Sequence, residues 1–221
     1  MKNIVLIVAV LLLSNLAHAQ DSFPAQARLF AGLTWANHET LNQEMRSNGL
    51  KEFGPLGKVG VEITYALTSF LDIGISYSWC NLEFDETELV SSTNYAANLT
   101  QTMGLAVARV PFLRSNYFRA DAFAGIGGAN TSLKMVTATQ NGEYHRKDSA
   151  EFFATIVSRY GFSGGVGYKK FYFYVEAGYE SNKIDSLKTS GTVSGNINSL
   201  NFSGGYGMIG LMFDGVTARK Q

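Results

Sequence analysis

Cysteine, proline and charge are all scarce in this chain. Its 221 residues include one cysteine and three prolines, and 16% of them are charged. A single cysteine excludes an internal disulfide, and Cys80 is expected to be a buried, inert thiol. Lysine plus arginine and aspartate plus glutamate number 18 each. This even balance argues against a nucleic-acid partner and against a polybasic membrane patch.

Long hydrophobic runs are missing too. The apolar stretch at residues 4–13 is too short for a membrane-spanning helix, which needs about 20 residues, and no second stretch reaches that length. It lies between Lys2 and Ala17-His18-Ala19, the order of a secretory signal peptide cut before Gln20. Residues 1–19 are therefore predicted to be a signal peptide, and strands must carry any membrane role.

What the chain has instead is alternation. In FYFYVEAGYE, residues 171–180, apolar side chains such as Phe173 and Val175 alternate with Tyr174 and Glu176. A period of two is that of a β-strand with two unlike faces. Similar patterns predict eight strands, at residues 28–35, 58–67, 71–79, 99–107, 118–127, 159–168, 171–180 and 201–213.

Connections of two lengths separate these strands. Short turns at 68–70, 111–116 and 169–170 alternate with long polar segments at 37–57, 81–98, 129–152 and 181–199. Up-and-down antiparallel barrels have tight turns at one end and long loops at the other. We therefore predict an all-β fold, an eight-stranded antiparallel up-and-down barrel over residues 20–213 with a short tail at 214–221. Met103, Leu105 and Val107 share one face of the fourth strand, and the facing of the last strand stays open.

The less apolar face of the strands separates a membrane barrel from a soluble one. Small residues dominate it, whereas a face in bulk water would carry many Lys and Glu side chains. Its charges lie inside the strands and have both signs, so they can pair across a narrow lumen, where an unpaired buried charge would be costly. The predicted lumen ion-pair network comprises Arg28, Lys58, Glu62, Asp72, Arg119, Asp121, Arg159, Glu176 and Glu180.

Aromatic residues collect at the strand ends on the apolar face. Two such belts are the interfacial girdles of a membrane barrel. The strands also match the roughly 9–11 tilted residues that cross the hydrocarbon, so the predicted barrel is transmembrane. The girdles are predicted to contain Trp35, Trp79 and Tyr179 towards the long loops, and Phe118, Tyr168, Phe171 and Phe213 towards the short turns.

These features, with a last strand that ends in GMIGLMF, resemble the small eight-stranded outer-membrane barrels of the OmpA transmembrane-domain and OmpX type. The resemblance covers residues 27–213. Phe213 is similar to the terminal aromatic residue that guides assembly in that family, although eight residues follow it here. The resemblance implies a bacterial outer-membrane location with periplasmic termini. We also expect contact with outer-membrane lipid and lipopolysaccharide, and no metal, cofactor or nucleic-acid partner.

Binding through the long loops is the preferred function. Asn141-Gly142 predicts a type I′ hairpin turn inside residues 132–153, which we expect to offer a site for a surface protein partner. If strands five and six continue into this segment, they form a ribbon above the membrane, and an exposed strand edge can recruit a partner strand. A purely structural role in envelope integrity is not separated from binding by the sequence. It would brace the outer leaflet through Trp35, Trp79 and the basic residues Arg46, Lys51, Arg146 and Lys147.

Two other functions are weaker. A solute pore is disfavoured because the interior of eight strands is just wide enough for side chains to fill it. Lipid A modification is the alternative to binding, since some eight-stranded barrels transfer or remove acyl chains with a surface histidine near a hydroxyl. His38, followed by Glu39 and Thr40, and His145 are the candidates. Neither reproduces the spacing of the deacylase pattern, so no catalytic residue is predicted.

Overall fold

The computed structural model describes residues 25–36, 39, 42–43, 46, 52–90, 93–139, 144–184 and 200–215, with the backbone alone at 82–98, 133–155, 184 and 200. Nine strands follow one another in this part of the chain: β1 (Ala25–Ala36), β2 (Leu56–Ala66), β3 (Asp72–Val90), β4 (Thr93–Arg114), β5 (Phe118–Thr139), β6 (Tyr144–Tyr168), β7 (Phe171–Ile184), β8 (Leu200–Asn201) and β9 (Gly204–Asp214). Within these residues, no helix is long and apolar enough to cross a membrane.

Eight of these strands close into one barrel. Each of β1 to β6 pairs antiparallel with the strand that follows it. β9 closes the ring by pairing with both β7 and β1, where Phe213 lies opposite Phe171 and Ala27. β8 is a two-residue addition to the end of β7. The predicted eight-stranded, up-and-down antiparallel barrel is therefore confirmed.

The three short connections and both described chain ends meet at one end of the barrel, called the short-turn end; the opposite end is the long-loop end. The N–H of Gly215 donates to the carbonyl of Ala25 at 2.9 Å, and that of Asp214 to Lys170 at 2.7 Å. In the turn between β6 and β7, Lys169 has a φ of 56°. Two-residue hairpin turns favour this left-handed conformation because it matches the twist of the flanking strands.

Four neighbouring strands are much longer than the others. β3, β4, β5 and β6 have 19, 22, 22 and 25 residues, whereas β1, β2, β7 and β9 have 12, 11, 14 and 11. The additional length lies at the long-loop end, where Val90 pairs with Thr93 and Ala138 with Tyr144. The prediction of loops at 81–98 and 129–152 is therefore wrong for most of both segments. The alternative, in which strands five and six continue into 132–153, agrees with the pairing of β5 and β6 up to Ala138 and Tyr144. In both segments the strands continue to pair through their backbones above the barrel. The alternating apolar pattern ends earlier, because it is required only where one face contacts lipid and the other lines the lumen.

Side chains alternate between the lumen and the outer surface. On β7, Phe171 is 64% exposed and Val175 is also exposed, whereas Tyr172 is 2% exposed and Glu176 is buried. Soluble monomers rarely expose apolar patches larger than a few hundred Å², and here exposed apolar side chains surround the barrel. This apolar face is suited to contact with lipid. A closed barrel can span a lipid bilayer because all of its backbone N–H and C=O groups are paired between strands.

The structure assigns the two facings that alternation left open. Met103, Leu105 and Val107 on β4 point into the lumen, so the more apolar face of this strand is turned inward, opposite to that of β7. They belong to a buried apolar cluster within the barrel. On β9, Met208 is buried inside and Leu211 is exposed outside. The lumen is therefore lined by apolar as well as charged side chains.

Candidate functional site

Arg109 on β4 lies at the centre of the lumen charges. Its Nε donates to Glu62 Oε1 at 2.5 Å and its Nη2 to Glu62 Oε2 at 3.0 Å. Nη1 donates to Asp121 Oδ1 at 2.6 Å, and Nη2 donates to Glu176 Oε2 at 2.7 Å. Since Arg109 is 1% exposed, one buried cation links β2, β5 and β7 through their carboxylates.

Two further arginines complete this central cluster. Arg28 Nη2 on β1 donates to Asp121 Oδ2 at 2.7 Å. Arg159 Nη2 on β6 donates to Ser76 Oγ at 3.2 Å and lies 3.7 Å from Glu62 Oε2. Equal numbers of cations and anions are thus brought together, namely Arg28, Arg109 and Arg159 with Glu62, Asp121 and Glu176.

Aromatic side chains pack against the same guanidinium groups. The guanidinium carbon of Arg109 lies 4.4 Å from the ring centroid of Phe123, and that of Arg28 lies 5.1 Å from that of Tyr174. The Tyr206 hydroxyl donates to Glu176 Oε1 at 3.2 Å. Buried ion pairs offset their desolvation only when the remaining donors and acceptors are satisfied. Cation–π contacts and the tyrosine hydroxyl contribute to that here.

A separate ion pair lies nearer the long-loop end. Lys58 Nζ on β2 lies 2.6 Å from both carboxylate oxygens of Glu180 on β7. Cys80, directly opposite Lys58 on β3, is also buried. Beyond this pair the chain places the buried side chains of Leu56 and Phe202. At this end of the lumen, apolar side chains therefore lie together with the buried, hydrogen-bonded Gln101, Thr131 and Asn182.

Two more ion pairs lie at the short-turn end. Arg114 binds Asp72, whose Oδ2 also accepts a hydrogen bond from Gln26 Nε2 at 3.1 Å. Arg119 binds Asp214, the last residue of β9. Among the described residues, the lumen charges therefore form three groups along the barrel axis, and each group has as many cations as anions.

The nine charged residues expected in the lumen are all buried inside the barrel, but they belong to three groups instead of one network. Sequence reasoning missed Arg109, Arg114 and Asp214. Arg109 shares its parity on β4 with Gln101, and these two polar residues on one face were a signal that this face lines the lumen. Arg114 and Asp214 stand at strand ends, where alternation stops being informative.

The expected aromatic girdles are placed less uniformly. Five of the seven residues are exposed on the outer surface: Trp35, Phe118, Tyr168, Phe171 and Tyr179. Trp79 is half-buried. Phe213 is 7% exposed, much less than the five exposed residues. Its ring points outward, and the ring centroids of Phe213 and Phe171 lie 5.3 Å apart. This contact stabilises the pairing of β7 with β9.

Above the barrel, β3 to β6 form a four-stranded sheet, called the extended sheet, at residues 81–90, 93–100, 130–139 and 144–156. Its ladders include the pairs Glu86↔Tyr95, Asn94↔Ala138 and Val136↔Lys147. β2 stops pairing with β3 at Cys80, and β7 stops pairing with β6 at Val157. Within the described ranges, no strand therefore pairs with the outer side of residues 82–90 of β3 or of residues 144–156 of β6.

The candidate catalytic and loop residues lie mostly outside the described structure. This holds for His38, Thr40, Lys51 and residues 141–142, and for the side chains of His145, Arg146 and Lys147. Glu39 and Glu52 bind the exposed Arg46 at 2.5 and 2.9 Å, and these hydrogen bonds raise the pKa of Arg46. In the part of the chain that is described, no three His, Cys, Asp or Glu side chains are grouped to hold a metal ion.

Comparison with protein-family models and with curated proteins finds no match. Among solved structures, the fold is similar to Ail, the attachment invasion locus protein of Yersinia pestis, in complex with the heparin analogue sucrose octasulfate. The TM-score is 0.51 at 10% identity, over 86% of this chain and 96% of that chain. For Neisserial surface protein A the TM-score is 0.40 at 12% sequence identity, over 86% of this chain and 97% of that chain. For OprG from Pseudomonas aeruginosa the TM-score is 0.44 at 12% sequence identity, over 86% of this chain and 94% of that chain. The chain thus has the fold of the small eight-stranded outer-membrane β-barrels.

Proposed function

We propose that the protein spans the bacterial outer membrane as a closed barrel and acts through the extended sheet at the cell surface. In this orientation the long-loop end faces the exterior and both chain ends face the periplasm. Outer-membrane lipid surrounds the apolar face, and lipopolysaccharide surrounds its outer half. The observation that carries the proposal is the length of β3 to β6, which continue well past the strands that merely close the barrel.

The filled lumen supports a role outside the barrel. Ion pairs and aromatic rings occupy the interior at the level of Arg109, and Leu56 and Phe202 are buried nearer the long-loop end. An eight-stranded barrel has little interior beyond the space that such side chains take. A solute would have to displace buried, paired charges, so transport is a poor match for this structure.

Within the described residues the extended sheet has open edges, and these indicate the kind of partner. On β6, residues 144–156 run for roughly 40 Å along the strand at the usual rise per residue, beyond the last pair with β7. Unpaired N–H and C=O groups along such an edge can bind an extended segment of another protein by strand addition. We therefore propose a protein partner that presents an extended strand.

Charge on the extended sheet favours a protein partner over a polyanion. A heparin analogue bound to the structurally similar Ail raises the possibility of a sulfated ligand. Here, however, residues 132–153 carry three basic and three acidic residues: Lys134, Arg146 and Lys147 against Glu143, Asp148 and Glu151. A polyanion gains little from a segment without net positive charge, whereas strand addition depends on the backbone.

Register-matched excision tests the proposal. Ala129 lies opposite Thr155, so removing residues 130–154 and joining the ends with Asn-Gly keeps the β5–β6 register and removes nearly all of the proposed binding edge of β6. A matched control removes residues 85–96 between the opposed Phe84 and Ala97, which leaves the edge of β6 intact. Cells that display each variant are tested for attachment to immobilised matrix protein and to one another, after heat-modifiable gel mobility has confirmed folding.

We expect the first excision to abolish attachment and the control to retain it. Attachment that survives both excisions in folded barrels would contradict a role for the extended sheet. Sensitivity of the same cells to detergent then separates the two proposed roles. If cells that lack the protein are more sensitive to detergent and cells with either excised variant are as resistant as those with the wild type, the function would be bracing of the envelope.

A further inference from the structure

Two turns are joined into one rigid surface at the short-turn end. The N–H of Gly167 donates to the carbonyl of Tyr117 at 2.9 Å, and the N–H of Lys169 donates to that of Asn116 at 3.0 Å. The β4–β5 turn at 115–117 and the β6–β7 turn at 169–170 therefore hold each other in place. We call this surface the turn rim.

Tyr172 fixes the turn rim from inside the barrel. Its hydroxyl lies 2.6 Å from the Ser115 carbonyl oxygen and 2.8 Å from that of Lys169. The single hydroxyl proton is shared between acceptors on the two turns. Ser115 Oγ in addition accepts the N–H of Phe118 at 2.8 Å. Side chains on the turn rim are therefore carried by a backbone that is held in one conformation.

Aromatic side chains are concentrated on the outer side of the turn rim. Tyr117 and Tyr168 are 57% and 60% exposed, and their ring centroids lie 6.1 Å apart. A β-bulge between Pro111 and Leu113 changes the register of β4 against β5, and both Phe112 and Leu113 are exposed there. Bulges re-aim side chains in this way. Exposed tyrosines beside apolar residues suit the depth where lipid headgroups meet acyl chains.

The exposed charge of the turn rim is cationic. Lys169 is exposed, and its Nζ lies 5.1 Å from the ring centroid of Tyr168. The acidic side chains at this end, Asp72 and Asp214, are buried and bound to Arg114 and Arg119. Within the described residues of this end, no exposed carboxylate therefore opposes an anion that approaches Lys169.

We propose that the turn rim binds the phosphate of an anionic glycerophospholipid headgroup. The ammonium group of Lys169 is positioned to pair with the phosphodiester, while Tyr117 and Tyr168 contact the glycerol and the first methylenes. Lys169 occupies a left-handed turn position where Asn or Gly would fit with less strain, which agrees with a use for its charge. The inference rests on the membrane-spanning part of the proposed function and not on the role of the extended sheet.

Native mass spectrometry of the purified full-length protein tests this site. The protein is released from micelles that contain phosphatidylglycerol and phosphatidylcholine in equal amounts, and the retained lipids are counted. Lys169→Asn removes the charge but tolerates the positive φ, and Lys169→Arg keeps the charge. Lys183→Asn, an exposed lysine on β7 at the long-loop end, is the matched control.

We expect the wild type, Lys169→Arg and Lys183→Asn to retain phosphatidylglycerol in preference to phosphatidylcholine. Lys169→Asn should reduce that preference by about fivefold, the effect of one lysine near an anionic lipid surface. Equal retention of both lipids by the wild type, or an unchanged preference in Lys169→Asn, would overturn the inference. Attachment of cells through the extended sheet is measured separately, so either proposal can fail while the other stands.

Discussion

Arg109 and Glu62 form a two-point ion pair across the lumen, with N–O distances of 2.5 and 3.0 Å. They are 47 positions apart and stand on β4 and β2, which are separated in the sheet by β3. Their contact therefore joins strands that the backbone ladder does not join. Because Arg109 also binds Asp121 and Glu176, its removal affects four elements of the barrel at once.

Replacing Arg109 by Leu should destabilise the barrel more than any single change on its surface. Three buried carboxylates would then share Arg28 and Arg159 alone, and breaking a buried pair typically costs about 3–5 kcal/mol. The measurement is urea unfolding of the refolded protein in lipid vesicles, followed by tryptophan fluorescence. Arg46→Ala, which removes two exposed ion pairs, is the control and should leave the midpoint unchanged. Equal midpoints for wild type and Arg109→Leu would show that the central cluster contributes no stability.

Lys58 and Glu180 are suited to a double-mutant cycle. In the described structure, neither side chain has an oppositely charged group within 4 Å other than its partner. Lys58→Met or Glu180→Leu leaves one buried charge unpaired, and each should cost about 3–5 kcal/mol. The double variant replaces the pair by apolar side chains and should come within about 1 kcal/mol of the wild type, as apolar replacements of buried pairs often do. Additive losses in the same unfolding experiment would mean that the two residues act independently.

The fold could be predicted because alternation and loop spacing report on the barrel directly. The strand β7 illustrates this, since Val175 and Glu176 already require different surroundings. For β4 the alternation places Met103, Leu105 and Val107 on one face without assigning its surroundings, and in the structure they line the lumen. Hydrophobicity alone does not distinguish lipid from a packed interior, whereas the polar Gln101 and Arg109 on that face do.

Partner choice inside the lumen could not be predicted. Arg159 and Glu180 lie directly opposite each other in the β6–β7 ladder, but the carboxylate of Glu180 is bound by Lys58 from the other side of the barrel. Such pairs depend on side-chain length and on strand tilt, which the sequence does not give. The hairpin signal at Asn141-Gly142 makes a continuation of strands five and six an alternative to a loop, whereas that of β3 and β4 was not predicted. Above the barrel, backbone pairing defines a strand without requiring an apolar face.

Gly60 is needed where the ring of Phe30 lies against β2. A Cβ at residue 60 would lie 2.4 Å from a carbon of that ring, and Phe30 also packs near the guanidinium of Arg159. Gly60→Ala should therefore displace the ring and cost about 1–3 kcal/mol. Gly57→Ala on the same strand is the control, since nothing lies within 4 Å of its added Cβ. If both variants unfold at the wild-type urea concentration, the lumen can absorb the additional methyl group.

A filled lumen should not conduct. Purified protein in planar bilayers is expected to give no steady current, because an ion would have to pass the Lys58–Glu180 pair and then the buried cluster around Arg109. An open porin inserted under the same conditions shows that the assay detects channels. A steady conductance that falls with increasing solute size would contradict the closed lumen and revive the pore hypothesis.

Lipid A should be the same with and without this protein. An acyl chain that entered the barrel would have to part paired strands, and the β7–β9 seam is continuous from Phe171↔Phe213 to Glu180↔Gly204. It would then meet the charged groups of the lumen, which an acyl chain cannot solvate. The remaining candidates are His38 and His145. Mass spectrometry of lipid A from cells that overproduce the wild type or His38→Ala/His145→Ala should therefore give identical acylation. An acyl-chain change that disappears in the double variant would make the protein an enzyme with its site above the barrel.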